Sequence, residues 1–352
     1  MFVLIMGHAN QYSVDHFNEQ SLSSPTHDTG MEAHHLSTAL MSPDPLRCLR
    51  EDEISLLREC YRRGLPGTLA PFLFIDTHLR WCEKIRQSST NAWTVSAIVW
   101  KRFFTLATSD REELTASGTF VAITEAEKCP TVVFWTQRDD LSPLKHALEK
   151  TAYINWKSDP AFSCVALDHY PMVQSVLQKN APHLMFRNST FFRLPRETAK
   201  AMKVSVPDGY EMLALDESHA AEVNATWPHR FAGSEEYYCS LFRLNGGLAL
   251  TERMQAGDGQ KKHLAGWILT NEYGALAHLY IQPAHRQRGL ASVLVKAWVT
   301  RWTEALEDED VNAGDSEVIA YILDANTASR TLFTKLGFIE MSKSRWSNPT
   351  TN

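Results

Sequence analysis

Hydrophobic and polar positions divide the chain into two stretches of alternating helical and extended pattern. Apolar residues that recur every three or four positions predict helices, and alternate or continuous apolar runs predict strands. In the first stretch this predicts helices and extended segments in the following order: a helix from about Glu51 that ends before Gly64, strands at Val95–Trp100, Phe120–Thr124 and Thr131–Thr136, helices at Leu141–Thr151 and Tyr170–Lys179, and an extended segment at Leu184–Leu194.

The second stretch begins after Lys203–Asp208, a segment with Pro207 that is the best predicted boundary. The alternation before this boundary is typical of an α/β or α+β domain, and the pattern after it again alternates helices and strands. The predicted elements are a strand at Glu211–Leu215, helices at Ser218–Trp227 and Ser234–Leu244 (the latter capped by Ser234), strands at Leu264–Thr270 and Leu276–Gln282, a helix that starts near Gly289, an acidic loop, a strand at Val318–Leu323, a helix at Asn326–Leu336 and a last strand from Phe338.

Composition adds limits on class and partners. The 352 residues, 44% of them hydrophobic, suffice for two domains with cores of their own. A net charge of −6 disfavours a nucleic-acid binder, and no apolar run is long enough to insert into a membrane. Six scattered cysteines without metal-ligand spacing predict reduced thiols in an intracellular protein and no metal site.

The first 45 residues are polar and lack periodicity, which predicts a mobile N-terminal extension. No Lys or Arg precedes Arg47, whereas several acidic residues do. Secretory and mitochondrial leaders need basic residues near the start, so the sequence favours a cytoplasmic protein.

Charge is unevenly distributed in the second stretch. Residues 261–301 carry six basic side chains and the single acid Glu272, a local balance of +5. Residues 302–317 then carry seven acids and no base, and Glu304–Asp310 is interpreted as a solvated acidic loop. The basic segment therefore predicts an anionic ligand.

The segment Ile281–Ala291 is the most informative part of the sequence. A strand leads through small and basic residues directly into an amphipathic helix, whose first N–H groups and dipole favour a phosphate. Gly289 and Ala291 would let the anion approach the backbone closely. The segment matches neither the G-x-x-x-x-G-K-S/T phosphate loop nor the G-x-G-x-x-G dinucleotide fingerprint.

Two motifs carry a resemblance to a known superfamily. Arg286-x-x-Gly289-x-Ala291 after a strand, followed by the strand Val318–Leu323 and the segment Asn326–Phe338, resembles the acyl-CoA-binding signature of the GCN5-related N-acetyltransferase (GNAT) superfamily. The resemblance covers residues 205–345. It implies a mixed, mostly antiparallel sheet flanked by helices, preceded by a second α/β domain.

A narrower resemblance extends upstream. Ile154–Lys157, Glu197–Lys200 and Trp227–His229 ahead of Gly233–Glu235 are similar to segments of glycine N-acyltransferase-like proteins. The predicted units are therefore an extension (1–45), an N-terminal α/β domain on the acceptor side (46–203) and a catalytic acyl-CoA-binding domain (204–352). The resemblance leaves open a degenerate GNAT copy for the N-terminal domain, and a mitochondrial location.

The superfamily resemblance implies roles for particular residues. Acyl-CoA or acetyl-CoA is the implied co-substrate, and its pantetheine arm would pair with Leu279, Tyr280 and Ile281 on a strand that splays from its neighbour. The implied pyrophosphate site is Arg286, Gln287, Arg288, Gly289, Leu290 and Ala291. Asn326 and Ser329 would lie beside the pantetheine and thiol, with Phe333 near the thioester. Simpler interpretations are a helix N-cap for Asn326, a solvent-facing Ser329 and a core position for Phe333.

The sequence departs from the superfamily at two positions. Ala275 stands where many relatives have a glutamate base, and Phe333 stands where some have a tyrosine that protonates the thiolate. Glu272 and His278 are the nearby candidates for the base. The simpler alternatives are a solvated Glu272 and a hydrogen-bonded core His278.

These features predict an acyl-CoA-dependent N-acyltransferase that acts on a small amine, with glycine or another amino acid favoured as the acceptor. One alternative is an N-acetyltransferase for an arylalkylamine or a protein amine. Another, suggested by Ala275 and Phe333, is an acyl-CoA-binding regulatory module without catalysis.

Overall fold

The fold was analysed on a computed structural model of the chain. It describes residues 43–88, 96, 99–124, 130–228, 230, 233–253, 263–308 and 317–349. Almost all of the predicted N-terminal extension, and most of the predicted strand Val95–Trp100, lie outside these ranges.

A five-stranded sheet forms the first half. Its strands, in spatial order, are β1 (Leu46–Cys48), β2 (Lys101–Leu106), β3 (Phe120–Thr124), β4 (Thr131–Trp135) and β5 (Ala161–Phe162). Only β4 and β5 run parallel. The helices of this half are α1 (Glu51–Arg62), α2 (Leu69–Gln87), α3 (Arg111–Ser117), α4 (Ser142–Lys150) and α5 (Tyr170–Asn180).

An eight-stranded sheet forms the rest. Its strands, in chain order, are β6 (Val165–Ala166), β7 (Leu184–Leu194), β8 (Tyr210–Ala214), β9 (Gly247–Glu252), β10 (Leu264–Thr270), β11 (Ala275–Ile281), β12 (Val318–Leu323) and β13 (Ile339–Pro349). In space they follow the order β6-β13-β7-β12-β11-β10-β9-β8, antiparallel except for β11 and β12. The helices of this part are α6 (Arg196–Lys200), α7 (Ala220–Ala225), α8 (Ser234–Leu244), α9 (Leu290–Asp308) and α10 (Thr327–Lys335). The mixed α/β fold class, with a mostly antiparallel sheet flanked by helices, is confirmed.

Strand β7, which precedes the predicted domain boundary, pairs with two strands that follow it. It lies between β12 and β13, and Leu194 pairs with Val318 on one side while Arg193 pairs with Ile339 on the other. The second sheet therefore takes strands from both sides of the boundary predicted at residues 203 and 204, and that boundary stays a prediction.

The second sheet has buried side chains on both faces because side chains alternate along each strand. Leu276 and Ala320 pack with α9 and α10, whereas Ala275, Ala277 and Tyr321 pack with aromatic residues of α2 and the first sheet. The predicted strands Phe120–Thr124, Leu264–Thr270 and Val318–Leu323 are confirmed at both ends.

Helix α2 was not predicted from the pattern. Buried residues such as Phe72, Leu73, Phe74 and Ile75 follow one another around its whole circumference, so no single apolar face marks it as amphipathic.

Three predictions about element ends are wrong. The strand predicted at Val95–Trp100 is replaced at its end by a turn, and β2 begins only at Lys101. Helix α8 is preceded by Gly233 with φ +94°, and Ser234 donates its hydroxyl to Asn224 (2.7 Å) rather than capping the helix. Helix α9 continues to Asp308, so the first part of the predicted acidic loop is helical.

Candidate acyl-CoA site

Strand β11 contains a bulge at the start of the predicted pantetheine segment. Trp267 pairs with Tyr280 and Leu269 pairs with Ala277, so Ile268 on β10 faces two residues of β11. One of these two is His278, which has φ +52°, a conformation uncommon outside glycine. A bulge of this kind bends the strand and turns the side chains that follow it.

The ladder between β11 and β12 ends early. Only Ala275 with Ile319 and Leu276 with Ala320 are paired, although β11 continues to Ile281. No strand of the described ranges is thus in register with Leu279–Ile281 on the side that faces away from β10. This is the gap that the resemblance implies for a pantetheine arm, and the use of these residues by coenzyme A stays a prediction.

A short 3₁₀ turn at Pro283–His285 connects β11 to the loop before α9. Gln287 and Gly289 both have positive φ, +62° and +75°. A Cβ at Gly289 would meet no heavy atom within 4 Å, so the glycine serves the backbone conformation and the surface beside it is open. The loop ends at Leu290 and Ala291, where the first-turn N–H groups of α9 have no carbonyl partner within the helix.

The two arginines of this loop are exposed and differently anchored. Arg286 donates Nε–H to the Ile281 carbonyl (3.1 Å), and its guanidinium lies 5.6 Å from the centre of the Tyr280 ring. Arg288 donates to the hydroxyl of Tyr210 on β8 (2.9 Å). Arg286 therefore sits at the end of the open strand edge, and Arg288 at the far edge of the loop.

The described basic residues of the +5 segment do not form one patch. Arg288 lies just before α9 and Arg301 lies in its second half, roughly 20 Å away along the helix axis. Lys261 and Lys262 lie outside the described residues. Among the described arginines of this segment, only Arg286 and Arg288 belong to the loop.

Helix α10 positions the second motif. Asn326 is its N-cap and accepts the Ser329 N–H at 3.1 Å, which confirms the N-cap interpretation. Ser329 is fully buried, so the solvent-facing alternative is wrong. Phe333 is also fully buried and packs on Phe338 with 4.7 Å between ring centres, which confirms its core position. Their contacts with coenzyme A remain predictions.

Both candidate bases belong to one buried cluster with two tyrosines of α8. Tyr237 donates its hydroxyl to Glu272 Oε2 (2.8 Å) and lies 3.4 Å from His278 Nε2. The hydroxyl of Tyr238 lies 2.8 Å from His278 Nδ1. Glu272 is only 6% exposed, so the solvated alternative is wrong, and the hydrogen-bonded, buried His278 agrees with its core alternative. We call Glu272, Tyr237, His278 and Tyr238 the relay cluster.

The hydrogen bonds of the relay cluster select one tautomer of His278. The single Tyr237 proton is engaged with Glu272, so the Tyr237 oxygen is available as an acceptor. An Nε2–H imidazole donates to that oxygen, while Nδ1 accepts from Tyr238. The chain of donors then runs in one direction, from Tyr238 to the Glu272 carboxylate.

The hairpin Asn271–Gly274 holds Glu272 in place. The side-chain oxygen of Asn271 accepts the N–H groups of Tyr273 and Ala275, both at 3.1 Å. Burial, followed by the charge of Glu272, raises the pKa of Tyr237 and of Tyr273 well above the ordinary value. These phenols thus stay protonated and act as donors.

The first half of the chain brings two further titratable groups near the relay cluster that sequence reasoning missed. Lys101 is 3% exposed, and burial lowers the pKa of its ammonium whereas the charge of Glu272 raises it. Burial raises the pKa of the Cys164 thiol well above its ordinary range, so it stays neutral. More than a hundred residues separate each from Glu272, so no local pattern could have revealed them.

Comparisons with known proteins support the fold and the coenzyme motifs. Residues 256–347 match the model of the family described as FR47-like protein, and residues 45–176 match a domain of unknown function (DUF5645). The first match includes both coenzyme motifs and supports the GNAT superfamily for that segment. No curated protein matches this chain.

Solved structures are similar over most of the chain. A Drosophila protein shares 23% identity at a TM-score of 0.76, over 87% of this chain and 99% of its own. A tandem GNAT protein from the clavulanic acid biosynthesis pathway shares 13% identity (TM-score 0.49; 87% and 98% coverage). A GNAT-family acetyltransferase from Colwellia psychrerythraea shares 11% (TM-score 0.41; 86% and 98%).

Two features are absent from the described ranges. None of their helices is both long and apolar enough to cross a lipid bilayer. They also contain no group of three or more His, Cys, Asp or Glu side chains arranged to hold a metal ion.

Proposed function

We propose that this chain is an acyl-CoA-dependent N-acyltransferase. The observation that carries the proposal is the sequence of features along one strand and loop. The bulge at His278, the open edge of Leu279–Ile281 and the positive-φ loop at Gly289 follow one another within twelve residues. An extended pantetheine arm fits the open edge, and a pyrophosphate fits the start of α9.

The reaction is the aminolysis of a thioester. The amine nitrogen attacks the acyl carbon, a C–N bond forms, the C–S bond breaks, and coenzyme A leaves as a thiolate that takes up a proton. A backbone N–H on the open edge of β11 would stabilise the oxyanion. The structure of the loop and strand thus serves mainly to hold the two reactants in line.

The relay cluster is the proposed destination of the amine proton. Glu272 is buried and is joined to His278 through the Tyr237 hydroxyl. A proton delivered to this chain of hydrogen bonds would pass through the Tyr237 hydroxyl to the Glu272 carboxyl group. The cluster therefore offers a base in place of the glutamate that many relatives have at the position of Ala275.

Glycine or another small amino acid is the proposed acceptor. The support is the upstream resemblance together with the position of one of its segments. Trp227 lies 5.2 Å from the His278 ring, centre to centre, and stacks on Tyr237 at 5.7 Å. The resembling segment thus touches the relay cluster.

A coenzyme-binding module without turnover is the second candidate. Ala275 and Phe333 favour it, since both are fully buried and neither can exchange a proton. The open strand edge and the loop would serve binding alone in that case.

The test combines binding with turnover. Purified full-length protein is titrated with coenzyme A by calorimetry, then incubated with acetyl-CoA and longer acyl-CoA donors and an amine panel while free thiol is followed. Thiol release that depends on glycine, with the acylated amine identified by mass spectrometry, supports the proposed enzyme. Binding without release for any pair supports the second candidate, and the absence of binding contradicts both.

A further inference from the structure

A cavity of about 600 Å³ lies between α2, the end of α8 and the second half of α9. Its lining includes Trp298 and Trp302, which are roughly 14 Å and 20 Å along α9 from the loop at Gly289. The cavity is thus separate from the proposed acyl-CoA site. Its volume is within the range of pockets that bind small molecules.

Three indole rings form its apolar walls and are held in fixed orientations. Trp81 donates Nε1–H to Asn245 Oδ1 (2.7 Å), and Trp298 donates Nε1–H to Thr270 Oγ1 (2.9 Å). Trp302 packs against Trp298 with 6.2 Å between ring centres. Rigid aromatic walls of this kind favour a flat ring as the occupant.

The charges around the cavity are mainly positive. Arg80, Lys84 and Arg301 line it with a single acid, Glu83, and Arg80 is itself paired with Asp76 just outside the lining (2.9 Å). Glu83 is already paired with Arg86 at 2.9 Å. The Arg301 guanidinium is exposed, lies 5.8 Å from the Trp298 ring centre and makes no ion pair with a described carboxylate. A carboxylate is the group that this arrangement would bind.

A buried hydroxyl lines the same cavity without a partner. Thr77 is only 2% exposed, and its Oγ1 makes no hydrogen bond to any described group. Burying a hydroxyl unpaired is costly, so such groups normally meet a ligand or another polar atom. Thr77 also touches the hairpin of Glu272, since a Cβ on Gly274 would lie 2.6 Å from Thr77 Oγ1.

We infer that this cavity binds an aromatic carboxylate, with the ring between the indoles and the carboxylate on Arg301. The inference does not depend on the proposed acyl transfer. It assigns a second ligand site to the junction of the two halves.

The test uses calorimetry of the full-length protein with 2-naphthoate and its neutral isostere 2-naphthamide. Naphthoate should bind at least tenfold more tightly, because only the anion pairs with a guanidinium. Arg301→Gln should weaken naphthoate binding about tenfold and leave naphthamide binding unchanged. Lys296→Gln is the matched control, since it removes the same charge from α9 at a position outside the lining.

Three results would overturn the inference. One is absence of naphthoate binding at millimolar concentration. Another is equal affinity for the acid and the amide, which would indicate an apolar site only. The third is competition between naphthoate and coenzyme A, which would place the ligand at the α9 loop. A protein that releases no thiol in the acyl-transfer assay would contradict the proposed function and leave these three results unaffected.

Discussion

Two buried histidines of this protein, His278 and His78, have surroundings that are built from residues distant in the sequence. His278 is placed at a bulge with positive φ, and its ring is held by two tyrosines. His78 of α2 is buried and neutral among aromatic rings, with Nδ1 2.8 Å from the Phe74 carbonyl oxygen. In both cases residues distant in sequence complete the surroundings, so the residue type alone indicates little.

His78 should make stability depend on pH. Burial, and then the charge of Lys101, lowers the pKa of His78 from 6.5 to about 3. Between these values the unfolded chain binds a proton that the native protein excludes. The free energy of unfolding is therefore not reduced by His78 above pH 6.5, and it decreases as the pH falls from 6.5 toward 3. The free energy of unfolding should therefore drop about 1.4 kcal/mol per pH unit more steeply than in His78→Phe. Urea denaturation from pH 7 to pH 4 measures both slopes, and parallel curves would contradict the prediction.

Tyr237→Phe tests the relay cluster. Removing the hydroxyl separates His278 from Glu272, so kcat for amine acylation should fall about 100-fold while the KM for acyl-CoA stays unchanged. The defect should shrink toward the amine's own pKa, where the acceptor is neutral without help. Tyr170→Phe, remote on α5, is the control and should keep full activity. An unchanged kcat in Tyr237→Phe excludes the relay.

At the scale of elements, the junction of β11, its loop and α9 concentrates the features relevant to binding. The strand loses its partner on one edge after Leu276, the loop adopts positive φ at Gln287 and Gly289, and a long helix begins at Leu290. Each element is ordinary, and their succession supports the proposed anion site beside the open strand edge.

Gly289→Ala should weaken coenzyme A binding. At φ +75° with open space around it, alanine costs about 1 kcal/mol in backbone strain and would disturb the N–H groups that are proposed to bind the phosphate. Gly209→Ala is a matched control because Gly209 has φ +82° and equally open space, just before β8. Thermal unfolding should show that the two substitutions lower Tm by similar amounts. Calorimetry should show weaker coenzyme A binding only in Gly289→Ala. Equal affinities in the two variants would rule out a role for the loop.

Salt should weaken coenzyme A binding through the loop arginines. Exposed charges such as Arg286 and Arg288 are screened as ionic strength rises. Arg286→Ala and Arg288→Ala should each lower the affinity severalfold at low salt and flatten its salt dependence. Arg301→Ala, at the far part of α9, should behave like the wild type. Calorimetric titrations with coenzyme A at 20 mM and 300 mM salt (about 20 Å and 6 Å of screening length) test this. The prediction is contradicted if the affinity of the wild type and of all three variants depends on salt to the same extent.

At the scale of the whole molecule, the two halves are joined through shared strands and a shared core. Strand β7 pairs with β12 and β13, and Trp346 of β13 donates to Ser189 Oγ of β7 at 2.8 Å. Lys101 of β2 lies 5.3 Å from the Tyr273 ring centre. The relay cluster therefore depends on the packing of one half on the other.

The fragment 204–352 should not fold alone. Without β7, every residue of β12 loses its partner on one side, and the face around Tyr321 and Trp346 becomes exposed. Far-ultraviolet circular dichroism and a proton NMR spectrum of the fragment should show little strand content and poor dispersion. The fragment 184–352, which retains β7, should show more strand structure. A dispersed spectrum for 204–352 would mean that β7 is dispensable.

Local pattern determined much of this protein. The alternation of apolar residues determined strands such as Leu264–Thr270, and the succession of strand, loop and helix around Gly289 predicted an anion site, because both depend on neighbours in the chain. The two motifs that carry the GNAT resemblance are likewise local in the sequence.

Only the tertiary structure decided the rest. The insertion of β7, the buried helix α2 and the approach of Lys101 to the relay cluster depend on residues far apart in sequence. The same is true of Glu272, which a turn position suggested to be solvated and which Tyr237 and the first half bury. Burial and proton placement are properties of surroundings, and these surroundings are assembled from both halves of the fold.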